Sequence, residues 1–367
     1  MPDDQEPNLP PLVVRVDADV PMVQLVEPPR PRPGLLGAAL LTFGYWVVLI
    51  GGMLAVVGVA LGWSLAFGDK RDLDTTSDGT HSVAKMPTAM RTALAWSLPA
   101  GYFFGLIYSL VVLRVVVGRR WIHDIGLTRL PPLHLLLGFL ALPGFVILSD
   151  VLASALQPLD AFTHRVTGIP GLGDSNLALR ALFENFHWSF AVFAIGLGPG
   201  VVEELWCRGF LGRGFIGRYG WLLGIGLASA FFGMLHLWPP SYVLVTAVMG
   251  ACLHFAYVTS RSLWVPIAMH FTNNSFAALV SMGEVPSAGI EAAFAANPAT
   301  ITAVAASLTL FCALAMWQSR WTWPAERRGE LLPPIQSPVE LVAAKPSPFY
   351  PLAAGALCVA LLWLLVA

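Results

Sequence analysis

Apolar residues run in long uninterrupted blocks along this chain, and polar residues gather between the blocks instead of alternating within them. A helix needs about 20 mostly apolar residues to cross the hydrocarbon core of a bilayer. Blocks of that order lie at nine places, roughly 35–66, 93–117, 133–156, 189–213, 221–238, 242–258, 263–282, 299–317 and 349–366. In lipid the backbone must satisfy its own hydrogen bonds, and a helix does so within one segment. The pattern therefore predicts an all-α fold, a polytopic transmembrane helical bundle of eight or nine spans. The stretches 68–91, 157–186 and 318–348 are polar, charged or broken by proline and glycine, and read as connections. No internal repeat of fixed period is visible.

Composition agrees with this picture. The 367 residues are 56% hydrophobic and 12% charged, against about 25% charged in a soluble domain. Mean hydropathy is +0.68. A net charge of −1 offers no basic footprint for nucleic acid. The four cysteines, Cys207, Cys252, Cys312 and Cys358, lie in or beside apolar runs without CxxC or metal-ligand spacing, and read as small packing residues. Residues 1–33 are rich in proline and acids and lack the order of a cleaved signal peptide, so they read as a disordered cytoplasmic tail. Arginine and lysine follow alternate spans, with 68–91 as the exception. The alternation predicts nine spans, a cytoplasmic N-terminus and residence in the cell membrane.

Against this background Glu203 and Glu204 stand out, inside the apolar run 189–213. A carboxylate near the bilayer centre costs about 2.5–3.5 kcal/mol on insertion scales, so such residues face protein or a wet cavity and mark function. On a helix neighbours diverge by about 100°, whereas positions i and i+4 share a face. Glu204 is therefore expected to pair with Arg208, leaving Glu203 without that cation as the better candidate for proton chemistry. The bland alternative is that both acids are structural. Gly196, Gly198, Pro199 and Gly200 should weaken or kink the helix just before them, opening a water path or easing packing.

Two histidines and an asparagine recur in later apolar blocks. His236 follows Phe232 and Gly233, where a small residue permits close helix approach; taken alone it is more often a packing residue. His270 and Asn274 are one helical turn apart on one face, as a pair of donors to a developing oxyanion would require. Interhelical hydrogen bonding is their plainer use, and Asn273 falls off that face. At about 1.5 Å per residue, the candidate positions fall at overlapping depths, His236 the deepest. Asp150, His254 and the piece from Trp121 to Arg129 read as a cavity or surface acid, a packing histidine and an interfacial segment.

These residues resemble a known family. Glu203-Glu204-Leu205-Trp206-Cys207-Arg208 resembles the EExxxR motif of the CPBP superfamily, which holds the type II CAAX prenyl endopeptidases and bacteriocin-processing enzymes. Phe232 to His236 is similar to its FxxxH motif, and His270 to Asn274 to its HxxxN/B motif, with Trp264 as the preceding aromatic. The resemblance covers roughly residues 185–282. It implies a membrane-embedded protease in which Glu203 and His236 activate water, His270 and Asn274 bind the oxyanion, and Glu204 with Arg208 holds the site's shape. It implies a membrane-associated protein or peptide substrate, a CAAX-like prenylated one among the options. It implies no cofactor, although Glu203, His236 and His270 are a conceivable His₂Glu zinc set. The chain then divides into the tail 1–33, N-terminal spans in 34–184, a catalytic core at 185–282 and C-terminal spans in 283–367.

Two other classes compete. A non-catalytic immunity or scaffold protein would bind a partner through the same polar pocket, and the retention of every candidate catalytic residue argues against it. A transporter would also use intramembrane Glu, Arg and His, but the polar groups form one cluster and no repeat is present.

Overall fold

A computed structural model of the chain describes residues 33–67, 86–167, 175–237, 239–286, 288–322 and 342–343. The predicted tail, the ninth block at 349–366, Trp238 and Cys358 lie outside the described residues. Within them the protein is an all-α bundle. The helices are α1 (Leu35–Phe67), α2 (Thr88–Val112), α3 (Trp121–Asp124), α4 (Pro132–Thr167) and α5 (Ser175–Phe183). There follow α6 (Trp188–Ala191), α7 (Gly198–Glu204), α8 (Arg213–Tyr219), α9 (Trp221–Met234), α10 (Pro240–Ser260), α11 (Trp264–Met282), α12 (Ala288–Ala296) and α13 (Pro298–Gln318). A two-residue pairing joins Trp321–Thr322 to Val342–Ala343.

Six helices among the described residues are long and apolar enough to cross a membrane, and α9 is a shorter apolar helix. This makes the chain an integral, multi-pass membrane protein. The helix α11 has the length, at 19 residues, but its polar run from His270 to Ser275 dilutes its apolar character. That run holds His270 and Asn274.

Several boundaries differ from the sequence reading. The third block does not end near 156: α4 continues through Pro158 to Thr167, 36 residues in all. At about 1.5 Å per residue such a helix exceeds a ~30 Å hydrocarbon core. Its two internal prolines, Pro143 and Pro158, each remove one hydrogen bond without stopping it. The supposed connections at 157–186 and 283–298 also contain α5 and α12. The fifth block stops at Met234 instead of 238, so His236 is not a helical residue; it lies in a short link before Pro239.

The composite helix from Trp188 to Tyr219 lies at the centre, and its neighbours seal it. Trp206, Cys207, Arg208, Phe210, Leu211 and Phe215 are all at most 1% exposed, whereas α1 buries little beyond Ala38 and Tyr45. Wide π-helical turns at Val192–Leu197 and Leu205–Gly212 bracket α7. Such turns rotate a helix's face locally and recur at functional sites. They realise the disturbance expected from the glycine and proline cluster, although α7 itself holds both glutamates in regular helix.

Candidate active site

The two glutamates diverge as neighbours on a helix must. Glu204 is fully buried, and its Oε1 accepts from Arg208 Nη1 at 2.7 Å. The same oxygen accepts Nδ1 of His270, on α11, at 2.8 Å. Arg208 also donates through Nη2 to the Gly250 carbonyl of α10 at 3.0 Å, and its guanidinium lies over the Phe232 ring of α9, 4.4 Å from the centroid. One buried ion pair thus ties α7, α9, α10 and α11 together. Taking both charges out of water costs several kcal/mol per ion, about what close attraction and the added hydrogen bonds must offset. The pairing of Glu204 with Arg208 follows the sequence expectation, whereas the bond to His270 has no local sequence signal.

Glu203 faces another way, towards α2. Its Oε1 accepts the Tyr102 hydroxyl at 2.8 Å, and its buried Oε2 has no hydrogen-bond partner. No arginine or lysine pairs with it among the described residues. It is 7% exposed where Glu204 is sealed. The Tyr45 and Tyr242 hydroxyls are also within its electrostatic reach.

His236 is positioned by the end of α9. Its Nδ1 lies 3.0 Å from the Phe232 carbonyl. A carbonyl only accepts, so Nδ1 carries the proton and Nε2 of the neutral ring keeps its lone pair. The ring meets Tyr242 edge-on at 5.3 Å and Phe232 at 5.1 Å. Phe232 also meets the His270 ring at 5.8 Å. Phe232 therefore separates and orients both imidazoles while carrying the guanidinium of Arg208. Glu203 and His236 share no direct hydrogen bond in this geometry, and Tyr242 is the residue close to both.

The helix α11 is pressed against the composite helix through glycine. A Cβ at Gly200 would stand 3.0 Å from the Phe271 backbone nitrogen, and one at Gly196 would collide with the Ser275 hydroxyl. Asn274 donates from Nδ2 to the Ile195 carbonyl at 3.2 Å, in the wide turn before α7. Asn273, set aside from the sequence, donates to Asn274 Oδ1 at 3.2 Å. His270 and Asn274 thus both reach the composite helix, as one face of α11 should. Each already spends one donor on the protein: Asn274 retains a second amide hydrogen, and His270 can donate from Nε2 only as the doubly protonated ring.

A zinc set of Glu203, His236 and His270 is not assembled. Among the described residues no three His, Cys, Asp or Glu side chains gather as a metal site. His254 packs against Gly212 and lies edge-on to Tyr257. Cys207 and Cys312 are buried free thiols and Cys252 is partly buried. Asp150 is exposed on the outside of α4.

Two site neighbours went unpredicted. Tyr102 sits in an aromatic-rich apolar span with nothing to single it out. Asp160 lay in a presumed connection, yet its carboxylate accepts the Ser241 backbone N–H at 2.9 Å and also the Ser241 hydroxyl. It caps α10 from another helix, where the chain's own Pro239 offers no side-chain cap.

Residues 185–276 match the family model described as type II CAAX prenyl endopeptidase Rce1-like. No curated protein and no solved structure matches the chain. The matched segment contains Glu203, Glu204, Arg208, His236, His270 and Asn274, and it carries the CPBP resemblance through the whole cluster. The matched part, 185–276 of 367 residues, is similar to the CPBP type of membrane protease.

Proposed function

We propose that the protein is an intramembrane endopeptidase that hydrolyses a peptide bond of a membrane-associated protein with a water activated by Glu203 and His236. Each acid has an Oε2 buried without a partner, and Glu203 is the one that no cation neutralises among the described residues. That observation carries the assignment. The Oε2 atom takes a proton from water as the oxygen attacks the scissile carbonyl. Nε2 of His236 holds the same water through its lone pair. The tetrahedral oxyanion receives hydrogen bonds from the free Asn274 amide hydrogen and from Nε2 of a doubly protonated His270, whose Nδ1 is held by Glu204. Collapse breaks the C–N bond, and the proton held on Glu203 passes to the departing amine. Glu204 and Arg208 keep α9, α10 and α11 in register around this point.

The shortness of α9 supports water access. Its 14 residues span about 21 Å of a ~30 Å core. The chain then leaves the helix at membrane depth, which is tolerated where backbone lines a wet cavity or is buried in protein. His236 sits at that point. Arginine and lysine placement supports a cytoplasmic N-terminus in a cell membrane.

The test compares the protein termini in membranes expressing wild type or Glu203→Ala at equal abundance. Wild type should generate termini that the variant lacks. Identical terminus profiles would overturn the assignment and favour a binding role for the same pocket.

A further inference from the structure

We propose that Tyr102 is a positioning residue for this reaction, its hydroxyl holding Oε1 of Glu203 so that Oε2 is the oxygen that receives the proton from water. The inference rests on the proposed role of Glu203 and adds a residue from outside the segment matched by the family.

A carboxylate only accepts, so the 2.8 Å contact is a hydrogen bond donated by the phenol to Oε1. It is the one hydrogen bond Glu203 receives among the described residues. The terminal torsion of a glutamate is broad and roughly two-fold. Without Tyr102 the two oxygens would exchange places, and neither would be presented reliably. Tyr45 and Tyr242 are near enough to interact electrostatically with Glu203, yet neither donates to it.

The ring of Tyr102 is itself fixed. A Cβ at Gly198 would stand 2.9 Å from its Cδ2 and 3.1 Å from its Cγ, so the ring packs closely on α7 at Gly198, little more than one turn before Glu203. The ring supplies the packing between α2 and α7. Among the described residues the hydroxyl bonds to Glu203 alone, so removing the oxygen alone separates positioning from packing.

The experiment uses the full-length protein and a peptide spanning a cleavage site found in the terminus comparison. Tyr102→Phe should lower kcat about 10- to 100-fold, the cost of one hydrogen bond to a charged group. KM should move by less than about two-fold, because uniform substrate binding is untouched, and the melting temperature should stay at the wild-type value. Gly198→Ala should displace the ring and also lower kcat. Combined with Tyr102→Phe it should lower kcat no further than the worse single variant, since both act through one bond. A wild-type kcat for Tyr102→Phe, additive losses in the double variant, or a melting loss that accounts for the lost activity would each overturn the inference. Glu203→Ala is run alongside. If Glu203→Ala is inactive while Tyr102→Phe is fully active, only the Tyr102 inference fails; if Glu203→Ala cleaves normally, the reading beneath it fails.

Discussion

Glu204 accepts Nδ1 of His270 at 2.8 Å on the same oxygen that receives Arg208. The acid next to the proposed base is thus the one that builds the site. Removing one partner of a buried pair leaves an uncompensated charge and costs about 3–5 kcal/mol. Glu204→Ala should therefore lower the melting temperature and membrane abundance sharply, while Glu203→Ala should keep both and lose cleavage. Quantifying folded protein in detergent for the two variants checks this. Equal stability in the pair would remove the division of labour.

How much of this was legible in the sequence follows from the range of the interactions. The bond between Glu204 and Arg208 is local, four residues apart on one helix, so helical periodicity sufficed to find it. The apolar blocks found the helices for the same reason. Contacts that join distant helices leave no such trace. Tyr102 meets Glu203 across 101 positions, and His270 meets Glu204 across 66. The end of α9 was misplaced because apolar character continues past Met234, while the chain turns at Leu237 with φ of 58°. Hydropathy reports the medium around a segment, and hydrogen bonds to the backbone decide where its helix stops.

Close packing under α7 gives a second expectation. At Gly200 an added methyl would meet the Phe271 backbone at 3.0–3.1 Å, and backbone cannot swing aside as a side chain can. Overpacking of this kind costs about 1–3 kcal/mol. Gly200→Ala should destabilise the protein and, by shifting α11 with His270 and Asn274, reduce cleavage by more than the lost stability explains. Gly226 on α9 has open space at its Cβ, so Gly226→Ala should be neutral or slightly stabilising. Melting curves and cleavage rates of the two variants make the comparison.

The spacing of the acidic and imidazole groups leads to an expectation about metal. With no three-ligand cluster among the described residues, active purified protein should contain far less than one zinc per chain. Elemental analysis together with the cleavage rate before and after dialysis against a chelator provides the measurement. Stoichiometric zinc that leaves together with activity would require the three residues to rearrange.

Asp160 yields the last expectation, because its two bonds to Ser241 anchor the far side of the link that carries His236. The next residue, Tyr242, packs edge-on against the His236 ring. A helix cap is worth about 0.5–2 kcal/mol, so Asp160→Ala should lower stability by that amount. It should lower the cleavage rate further, because the link gains freedom and the imidazole loses its wall. Asp160→Asn can still accept from the Ser241 backbone and donate to its hydroxyl, and should recover most of both. Ser241→Ala keeps the backbone bond alone and should fall between them. If Asp160→Ala melts earlier but cleaves at the wild-type rate below its melting range, the cap holds α10 without orienting His236.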